Sequence, residues 1–318
     1  MSCTHIPLIV IAGPTAVGKT ALSIELAQHF GGEVINGDSL QIYRGLDIGT
    51  GKITADEMAD VPHHLLDIVD VDAAYDASQF KQMATTIIQA IHARGKLPIL
   101  VGGTGLYLEG LLYDLEFGGD DSHDAQVRAR LYDSLQTEGA QALWQKLFEQ
   151  DPQAAQHIPY QNHRRVIRAL EVIEVSGQLF SEQMSHHIQQ DVFHTCLFVL
   201  DRPREALYNR INARVLSMVE TGLEKEARAL YERAQQHDWQ STKGIGYKEW
   251  WPYFDGECSR EAAIAQIQQN SRRYAKRQLT WFRNRFKRTH WLDMTNEQAA
   301  LQQAIHLITQ HLGGQQHD

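Results

Sequence analysis

The stretch that decides the fold is Gly13-Pro14-Thr15-Ala16-Val17-Gly18-Lys19-Thr20. It matches the pattern G-x-x-x-x-G-K-[ST], which is the phosphate-binding P-loop. An apolar run precedes the motif at residues 6–12, and a helical pattern follows it at 21–30. A strand, a glycine-rich turn and a helix in this order are the context that the motif requires. The sequence therefore predicts a site for a polyphosphate group at residues 13–20.

The residue types of this loop explain how it would hold an anion. Glycines let backbone N–H groups point inward around a phosphate, and the helix N-terminus adds its dipole. Lys19 is expected to contact phosphate oxygens, and Thr20 is expected to offer its hydroxyl to Mg²⁺. We therefore predict Mg²⁺ as the cofactor, with Thr20 as its protein ligand. The alternative interpretation is a glycine-rich turn with no ligand.

Further short segments that read as strands predict the rest of a sheet. They lie at residues 33–36, 97–101, 195–200 and 289–292. Because helical segments separate them, the pattern favours an α/β fold, a P-loop NTPase-like doubly wound parallel sheet. Residues 113–193 show helical spacing and no clear strand, and they are too many for a simple crossover. We therefore predict an inserted all-helical domain at 113–193 between the core segments 1–112 and 194–318.

The overall composition is that of an ordinary globular protein, with 43% hydrophobic and 22% charged residues. The three cysteines are far apart and follow no metal-ligand spacing, which favours a reducing compartment. The longest early apolar run is too short for a signal peptide or a membrane span. We therefore expect a cytoplasmic protein that does not bind a membrane.

The charge distribution is uneven, although the formal net charge is -9. Residues 1–160 carry a net charge of -12, whereas residues 161–318 carry +3. The densest basic stretch is 272–288, in which cations alternate with aromatic residues and no acid occurs. This pattern suits a surface that follows a nucleic-acid backbone and stacks on bases. An amphipathic helix with solvated cations would give the same pattern.

Two polar residues are predicted to share the ligand-binding edge of the sheet with the P-loop. Asp38 follows the second strand and Thr104 follows the third, and ligands of open α/β sheets bind at the carboxyl ends of the strands. Asp38 is a candidate general base or a ligand of Mg²⁺-bound water. Alternatively, Asp38 caps a turn and Thr104 is an ordinary turn residue.

The donor that the P-loop would hold is not decided by the motif. Most P-loop proteins use nucleoside triphosphates, so ATP binding is the default expectation. The strand at 97–101 ends in Gly102-Gly103, however, without the acid that often completes a motor-type NTPase. Small-molecule kinases and other pyrophosphate-handling enzymes are the remaining classes.

The ordered motifs resemble one family closely. After the P-loop come DSLQIYRGLDIGT at 38–50, VPHHLLD at 61–67, VGGTGLY at 101–107, RVIRALE at 165–171, GIGY at 244–247 and KRQLTWFR at 276–283. Together they resemble the tRNA dimethylallyltransferases, also called isopentenyl-tRNA transferases, over residues 8–293. No zinc-finger pattern follows, which is similar to the bacterial members. Gly51 stands where the family usually has Ala, and Gly37 is unusually small.

The resemblance implies an activity. A dimethylallyl group would pass from dimethylallyl pyrophosphate to the exocyclic N6 of the adenosine immediately 3′ of the anticodon, giving N6-isopentenyladenosine and pyrophosphate. By the same resemblance Asp38 is the general base, and Thr15, Lys19 and Thr20 hold the pyrophosphate and Mg²⁺. Arg214 is implied to reach the pyrophosphate too, although its helical neighbour Arg210 is an alternative for that role. The implied catalytic residues are therefore Asp38, Thr15 and Arg214.

The implied partner is the anticodon arm of tRNA, and no obligatory protein partner is expected. The residues implied to contact tRNA are Asp38, Ser39, Leu40, Gln41, Thr104, Arg128, Arg164, Arg165, Val166, Ile167, Arg168, Lys243, Gly244, Ile245, Gly246, Tyr247, Lys248, Lys276, Arg277, Gln278, Leu279, Thr280, Trp281, Phe282 and Arg283. Thr104 and Arg128 would lie beside the target nucleotide, and the inserted domain would grip the anticodon arm. Two competing functions stay open: an ATP-dependent small-molecule kinase and a non-catalytic RNA-binding P-loop protein.

Overall fold

A computed structural model describes residues 6–115, 124–185, 191–235 and 237–313. The chain divides into two compact units. The larger unit combines Met1–Leu112 with Asp191–Asp318, and the smaller unit is Tyr113–Gln190. The sequence placed the inserted domain at 113–193, which differs from the smaller unit by the three residues at its end.

The larger unit is built on one parallel sheet of six strands. The strands are β1 (Pro7–Ala12), β2 (Gly32–Asn36), β3 (His63–His64), β4 (Leu97–Gly102), β5 (His194–Asp201) and β6 (His290–Asp293). Their order across the sheet is β3-β2-β4-β1-β5-β6. The predicted α/β parallel sheet is confirmed. The short strand β3 was not predicted, because two polar residues give no apolar pattern.

Strand β1 lies in the middle of the sheet and is hydrogen-bonded to β4 on one side and β5 on the other. Residues 8–11 of this strand have no exposed surface. A parallel sheet covered by helices on both faces needs apolar side chains in both directions, which is why the strand is a continuous apolar run. The P-loop follows β1 directly and therefore opens at the centre of the carboxyl edge.

The described residues of the first part of the larger unit form four helices. They are α1 (Lys19–Phe30), α2 (Ala55–Met58), α3 (Ala77–Ala93) and α4 (Gly105–Leu112). Helix α3 begins with a capping box, in which the Asp76 side chain accepts from the N–H groups of Ser78 and Gln79. This satisfies N–H groups that the first turn leaves without helical partners.

The described residues of the smaller unit are helical and contain no strand. Its helices are α5 (Ala125–Glu138), α6 (Ala140–Gln150), α7 (Pro152–His157), α8 (His163–Ser176) and α9 (Phe180–Ser185). They enclose a core of their own, to which Leu131, Leu143, Leu147 and Leu170 belong. The unit therefore has the layout of a small helical domain.

The remaining helices complete the larger unit. They are α10 (Arg204–Glu220), α11 (Leu223–Ala234), α12 (Trp251–Phe254), α13 (Arg260–Arg285) and α14 (Glu297–Gly313). Helix α13 is the longest, and its buried residues recur at helical spacing through Ala275, Gln278 and Phe282. Among all described helices, none has the length and apolar character to cross a bilayer.

Candidate active site

A cavity of about 1080 Å³ opens in the larger unit at the carboxyl edge of the sheet. The P-loop and the turn after β2 contribute to its lining, as do helices α10 and α13. Residues that line it include Thr15, Ala16, Val17, Gly18, Lys19, Thr20, Asp38, Ser39, Leu40, Gln41, Arg210, Arg214, Tyr274 and Gln278. The sequence motifs after β1 and β2 thus meet at one site. This is expected, because ligands of open α/β sheets bind at the carboxyl ends of the strands.

The backbone of the P-loop requires glycine at positions 13 and 18. Gly13 has φ 149° and Gly18 has φ 116°, a region that residues with side chains rarely adopt. A Cβ on Gly13 would lie 2.9 Å from the carbonyl oxygen of Leu200 on β5. The two fixed glycines of the motif are therefore explained by geometry as well as by close packing.

The carbonyl groups of the P-loop are held by cations. Lys19 Nζ donates to the carbonyl oxygens of Gly13 at 3.0 Å and Pro14 at 2.8 Å. Two arginines hold the carbonyl oxygens of Ala16 and Val17. Arg210 Nε donates to Ala16 O and Arg202 Nε donates to Val17 O, each at 3.1 Å. These carbonyl oxygens have cationic partners within the protein. The backbone N–H groups of the loop are then the groups expected to bind phosphate.

Lys19 is a half-buried cation in this arrangement. Burial lowers the pKa of its amine to about 8, and nearby Arg214 acts in the same direction, whereas the Asp38 carboxylate opposes the shift. The charge of Lys19 is thus poorly compensated in the free protein. An anionic ligand would supply that compensation.

Arg210 and Arg214 lie four residues apart on α10 and both line the cavity. Arg210 is 48% exposed at its side chain and holds the P-loop through Ala16. Arg214 Nη2 donates to the carbonyl oxygen of Gly51 at 3.2 Å, and burial lowers its pKa while Asp38 opposes this. The half-buried Arg214 is therefore better placed to compensate an anion inside the cavity, whereas Arg210 holds the loop through Ala16 O.

Asp38 serves in a turn and still keeps one oxygen available. Its Oδ1 accepts from the N–H of Leu40 at 2.9 Å, and its own N–H donates to Asn36 Oδ1 at 3.1 Å. The turn-cap interpretation therefore describes one carboxylate oxygen correctly. Oδ2 receives no hydrogen bond from the described residues. The same carboxylate acts electrostatically on Lys19 and Arg214, so it is available to a ligand of the cavity.

Thr104 is a neighbour of this turn. Its Oγ1 accepts from the N–H of Ser39 at 3.1 Å, next to Asp38. Tyr274 on α13 lines the cavity, and burial raises the pKa of its phenol. The predicted closeness of Thr104 and Asp38 is thus found, with Thr104 holding the turn. Tyr274 was not among the predicted site residues.

Gln278 joins two parts of the site and is buried, with 5% exposure. Its Oε1 accepts from the N–H of Thr15 at 3.0 Å, and its Nε2 donates to Gly103 O at 2.9 Å. The sequence motif placed this side chain against tRNA. The structure places it between the P-loop and the end of β4, where both ends of the amide have partners within the protein.

Four more side chains of the predicted tRNA set are buried. They are Val166 and Ile167 on α8, Tyr247, and Phe282 on α13. Each of these four side chains lies at an apolar helix position or packs beneath the surface. Leu279, another member of the set, is partly buried and packs against the core of the larger unit. RNA contacts through these side chains are therefore corrected to packing roles. The motif match did not separate residues that face solvent from those that face the core.

The exposed members of the set are mostly cations. Lys243 and Lys248 are exposed and line the cavity, and Gly244, Ile245 and Gly246 between them line it too. On α13, Lys276, Arg277 and Thr280 are exposed, and Trp281 is half-buried. Arg283 is exposed but paired with Asp201 at 3.0 Å.

In the smaller unit, two of the predicted arginines pair with one carboxylate. Glu171 has 1% side-chain exposure and accepts from Arg128 at 2.7 Å and Arg168 at 3.1 Å. These contacts lower the pKa of Glu171 against the opposing effect of burial. Arg164 on the same helix is exposed. Arg128 and Arg168 thus have a structural partner, which the sequence pattern did not reveal.

The described residues contain no group of three or more His, Cys, Asp and Glu side chains that could hold a metal. Thr20 is exposed and lines the cavity at the start of α1. A P-loop hydroxyl of this kind supplies a single ligand, and Mg²⁺ then takes its other oxygens from phosphate and water. The residues present fit that mode of binding.

Comparison with known proteins gives a consistent family. Residues 41–285 match the family model described as IPP transferase. A tRNA dimethylallyltransferase of Latilactobacillus sakei is 50% identical over 295 residues, which cover 92% of this chain and 94% of that protein. The solved structure of a full-length tRNA isopentenylpyrophosphate transferase from Bacillus halodurans is 45% identical, with a TM-score of 0.74 and 98% of each chain covered.

A more distant structure gives the same result. It is a eukaryotic dimethylallyltransferase solved in the course of acting on tRNA, and it is 32% identical with a TM-score of 0.85. The match covers 97% of this chain and 80% of that one. The resemblance found in the ordered motifs is thereby confirmed. This chain belongs to the IPP transferase family.

Proposed function

We propose that this protein transfers a dimethylallyl group from dimethylallyl pyrophosphate to the exocyclic N6 of an adenosine in tRNA, immediately 3′ of the anticodon. The observation that supports it most is the meeting of a P-loop and a carboxylate in one cavity, in a member of the IPP transferase family. The products are N6-isopentenyladenosine and pyrophosphate. The P-loop then holds a leaving group, where most P-loop enzymes hold a nucleotide.

Asp38 activates the nucleophile in this proposal. An adenine amine is a weak nucleophile, since its lone pair is delocalised into the ring. The free Oδ2 of Asp38 accepts a hydrogen bond from the amine, orients it, and takes its proton as the N–C bond forms. The hydrogen bond from Leu40 fixes the other oxygen and so fixes the direction of the carboxylate.

The leaving group is stabilised on the opposite side of the cavity. Negative charge grows on the pyrophosphate as the allylic C–O bond breaks. P-loop amides, Lys19 and Arg214 provide fixed positive potential where this charge appears. Mg²⁺, held by Thr20 and by phosphate oxygens, would add further neutralisation.

The partner in this proposal is the anticodon arm of tRNA. A base in a single-stranded loop leaves its stack at low cost, so the adenine can enter a deep cavity. The exposed cations of α13 and the smaller unit's Arg164 are candidates to contact phosphates. We further propose that the smaller unit grips the arm, that the protein acts in the cytoplasm, and that it needs no other protein.

An ATP-dependent kinase would use the same P-loop, and a donor comparison separates the two functions. The protein is incubated with Mg²⁺ and ATP or dimethylallyl pyrophosphate, each with and without tRNA, and nucleotide and pyrophosphate are quantified. We expect pyrophosphate release only with dimethylallyl pyrophosphate and tRNA together, with ATP as a weak competitor through its phosphates. Efficient consumption of ATP without tRNA would favour the kinase instead. Tight tRNA binding with no product from either donor would favour a non-catalytic RNA-binding protein.

The titration of Lys19 gives a pH prediction. Its pKa of about 8 in the free protein means that the amine is charged below that pH and loses its charge above it. We expect kcat/KM for dimethylallyl pyrophosphate to fall as the pH rises through about 8, because this ratio reports groups of the free enzyme. The measurement is a pH profile of kcat/KM for the donor at a tRNA concentration well below its KM, so that the free protein is the reference state. The Lys19→Arg variant is the control, since a guanidinium stays charged; an identical alkaline fall in that variant would contradict the assignment to Lys19.

The exposed face of α13 gives a prediction about salt. Arg273, Lys276 and Arg277 are exposed at helical spacing, although the protein as a whole is acidic. Replacing each by Ala is expected to weaken tRNA binding and to lower the slope of log affinity against log salt by about 0.7 per lost phosphate contact. Titrations over a range of salt concentrations measure both quantities.

Arg272 is the matched control on the same helix. Its Nη1 donates to Asn212 Oδ1 at 2.5 Å, so its removal should lower thermal stability and leave the salt slope unchanged. Should Arg273, Lys276 and Arg277 behave like Arg272, the cations of α13 do not contact RNA. The RNA surface would then lie elsewhere, with Arg164 as the first residue to test.

A further inference from the structure

One carboxylate binds several backbone N–H groups of a short loop beside the cavity. This loop, residues 47–51, follows the turn of Asp38, and its last three residues line the cavity. Glu226, in the first turn of α11, accepts from the backbone N–H groups of Asp47, Ile48 and Gly49, each at 2.9 Å. Glu226 itself lies outside the cavity lining. One side chain therefore fixes three consecutive peptide groups of the loop.

A fourth hydrogen bond fixes the carboxylate in turn. The hydroxyl of Tyr247 donates to Glu226 Oε1 at 2.7 Å, and Tyr247 has no exposed surface. Burial raises the pKa of this phenol, and the charge of Glu226 raises it further, so the hydroxyl keeps its proton. The ring packs against the loop closely, since a Cβ on Gly49 would lie 2.5 Å from the ring carbon Cζ. Glu226 is thus oriented by one rigid neighbour and by three loop amides.

The same loop contacts Arg214. The carbonyl oxygen of Gly51 accepts from Arg214 Nη2 at 3.2 Å. The guanidinium lies directly on the glycine, because a Cβ at this position would be 1.7 Å from Nη2. Arg214 is therefore positioned by its hydrogen bond to the carbonyl oxygen of Gly51. Glu226 holds the backbone N–H groups that lie two to four residues before Gly51 in the same loop.

We infer that Glu226 is a positioning residue, which aims Arg214 at the leaving pyrophosphate by holding the 47–51 loop. This rests on the proposed function, in which Arg214 compensates charge on the leaving group. A fixed charge aids a transition state only when it is already in place, since reorientation during the reaction costs free energy. Small displacements of such a group reduce the rate steeply.

The test is a double-mutant cycle of Glu226→Gln with Arg214→Ala. The amide keeps the size of the side chain but replaces one acceptor oxygen by a donor, so it cannot accept all four hydrogen bonds. We expect Glu226→Gln to lower kcat/KM for dimethylallyl pyrophosphate by about tenfold or more, with tRNA affinity within about twofold of the parent. In the Arg214→Ala background, Glu226→Gln should change kcat/KM by less than about twofold, because the side chain through which Glu226 acts is already absent.

The matched control is Glu224→Gln on the same helix turn. Glu224 pairs with Arg260 at 2.7 Å, and within the described part of the chain its carboxylate accepts no hydrogen bond from the 47–51 loop. This variant should keep the parent kcat/KM. Should Glu226→Gln yield too little folded protein, Glu226→Asp replaces it, since the shorter carboxylate cannot reach all the amides. Calorimetry of pyrophosphate binding then provides a readout independent of turnover.

The outcomes are separable. Parent protein that forms no prenylated product would contradict the proposed function itself. If the parent is active but the effects of Glu226→Gln and Arg214→Ala simply multiply, the positioning role is wrong and Glu226 only stabilises the fold. Equal losses of tRNA affinity and donor use would lead to the same rejection.

Discussion

Replacing Asp38 by Asn is expected to lower the rate of the chemical step by about 10²–10⁴-fold, the usual contribution of a positioned general base. Asn keeps the size of the side chain and one oxygen. That oxygen can still accept from the N–H of Leu40, so the turn after β2 should persist. The second position becomes an amide that donates protons and cannot remove one from the adenine. Single-turnover measurements at saturating tRNA and donor isolate this step.

Affinity provides the control for the same variant. The turn also depends on the bond from the N–H of Asp38 to Asn36 Oδ1, which the substitution leaves in place. Affinity for tRNA should therefore stay close to that of the parent protein. Near-parental turnover by Asp38→Asn would mean that the carboxylate is only a turn cap, and the base would have to be sought elsewhere.

Removal of the Lys19 side chain is expected to have the second large effect. Lys19→Ala should reduce kcat/KM for dimethylallyl pyrophosphate by about 10²–10³-fold, comparable to loss of one preorganised charge at a transition state. The variant also loses the bonds to the carbonyls of Gly13 and Pro14, so a moderate fall in thermal stability is expected. Steady-state kinetics with varied donor, together with a thermal melt, measure the two effects.

Binding of tRNA distinguishes a local effect from a global one. Lys19 is not among the exposed cations proposed to contact RNA, because its amine donates to the carbonyl oxygens of Gly13 and Pro14. Lys19→Ala should therefore bind tRNA nearly as well as the parent. A parallel loss of tRNA binding and donor use would show that the P-loop acts chiefly as a folding element.

The features predictable from sequence are those with a local pattern. The apolar run of β1, the fixed glycines of the P-loop and the strand ends that carry Asp38 and Thr104 each have such a signal. Their meeting at one edge follows from the parallel sheet. Strand β3 gave no signal, because two histidines are too short a segment to show periodicity.

Contacts between distant segments could not be predicted. Gln278 reaches Thr15 across 263 residues, and Glu226 reaches Asp47 across 179. One available signal was missed. Gln278 lies three residues after Ala275 and four before Phe282, which places all three on the buried face of α13. A polar side chain at a core position is expected to satisfy a buried polar group. That rule points to an internal role for Gln278.

The measurement that tests the central claim most directly is identification of the modified nucleoside. Unmodified tRNA is incubated with the protein, Mg²⁺ and dimethylallyl pyrophosphate, then digested and analysed by mass spectrometry. We predict one adenosine, next to the anticodon on its 3′ side, in which a dimethylallyl group has replaced one hydrogen on N6, with one pyrophosphate released per modification. Unmodified tRNA after incubation with folded, active-site-intact protein, or a phosphorylated product formed with ATP in its place, would contradict the proposed function.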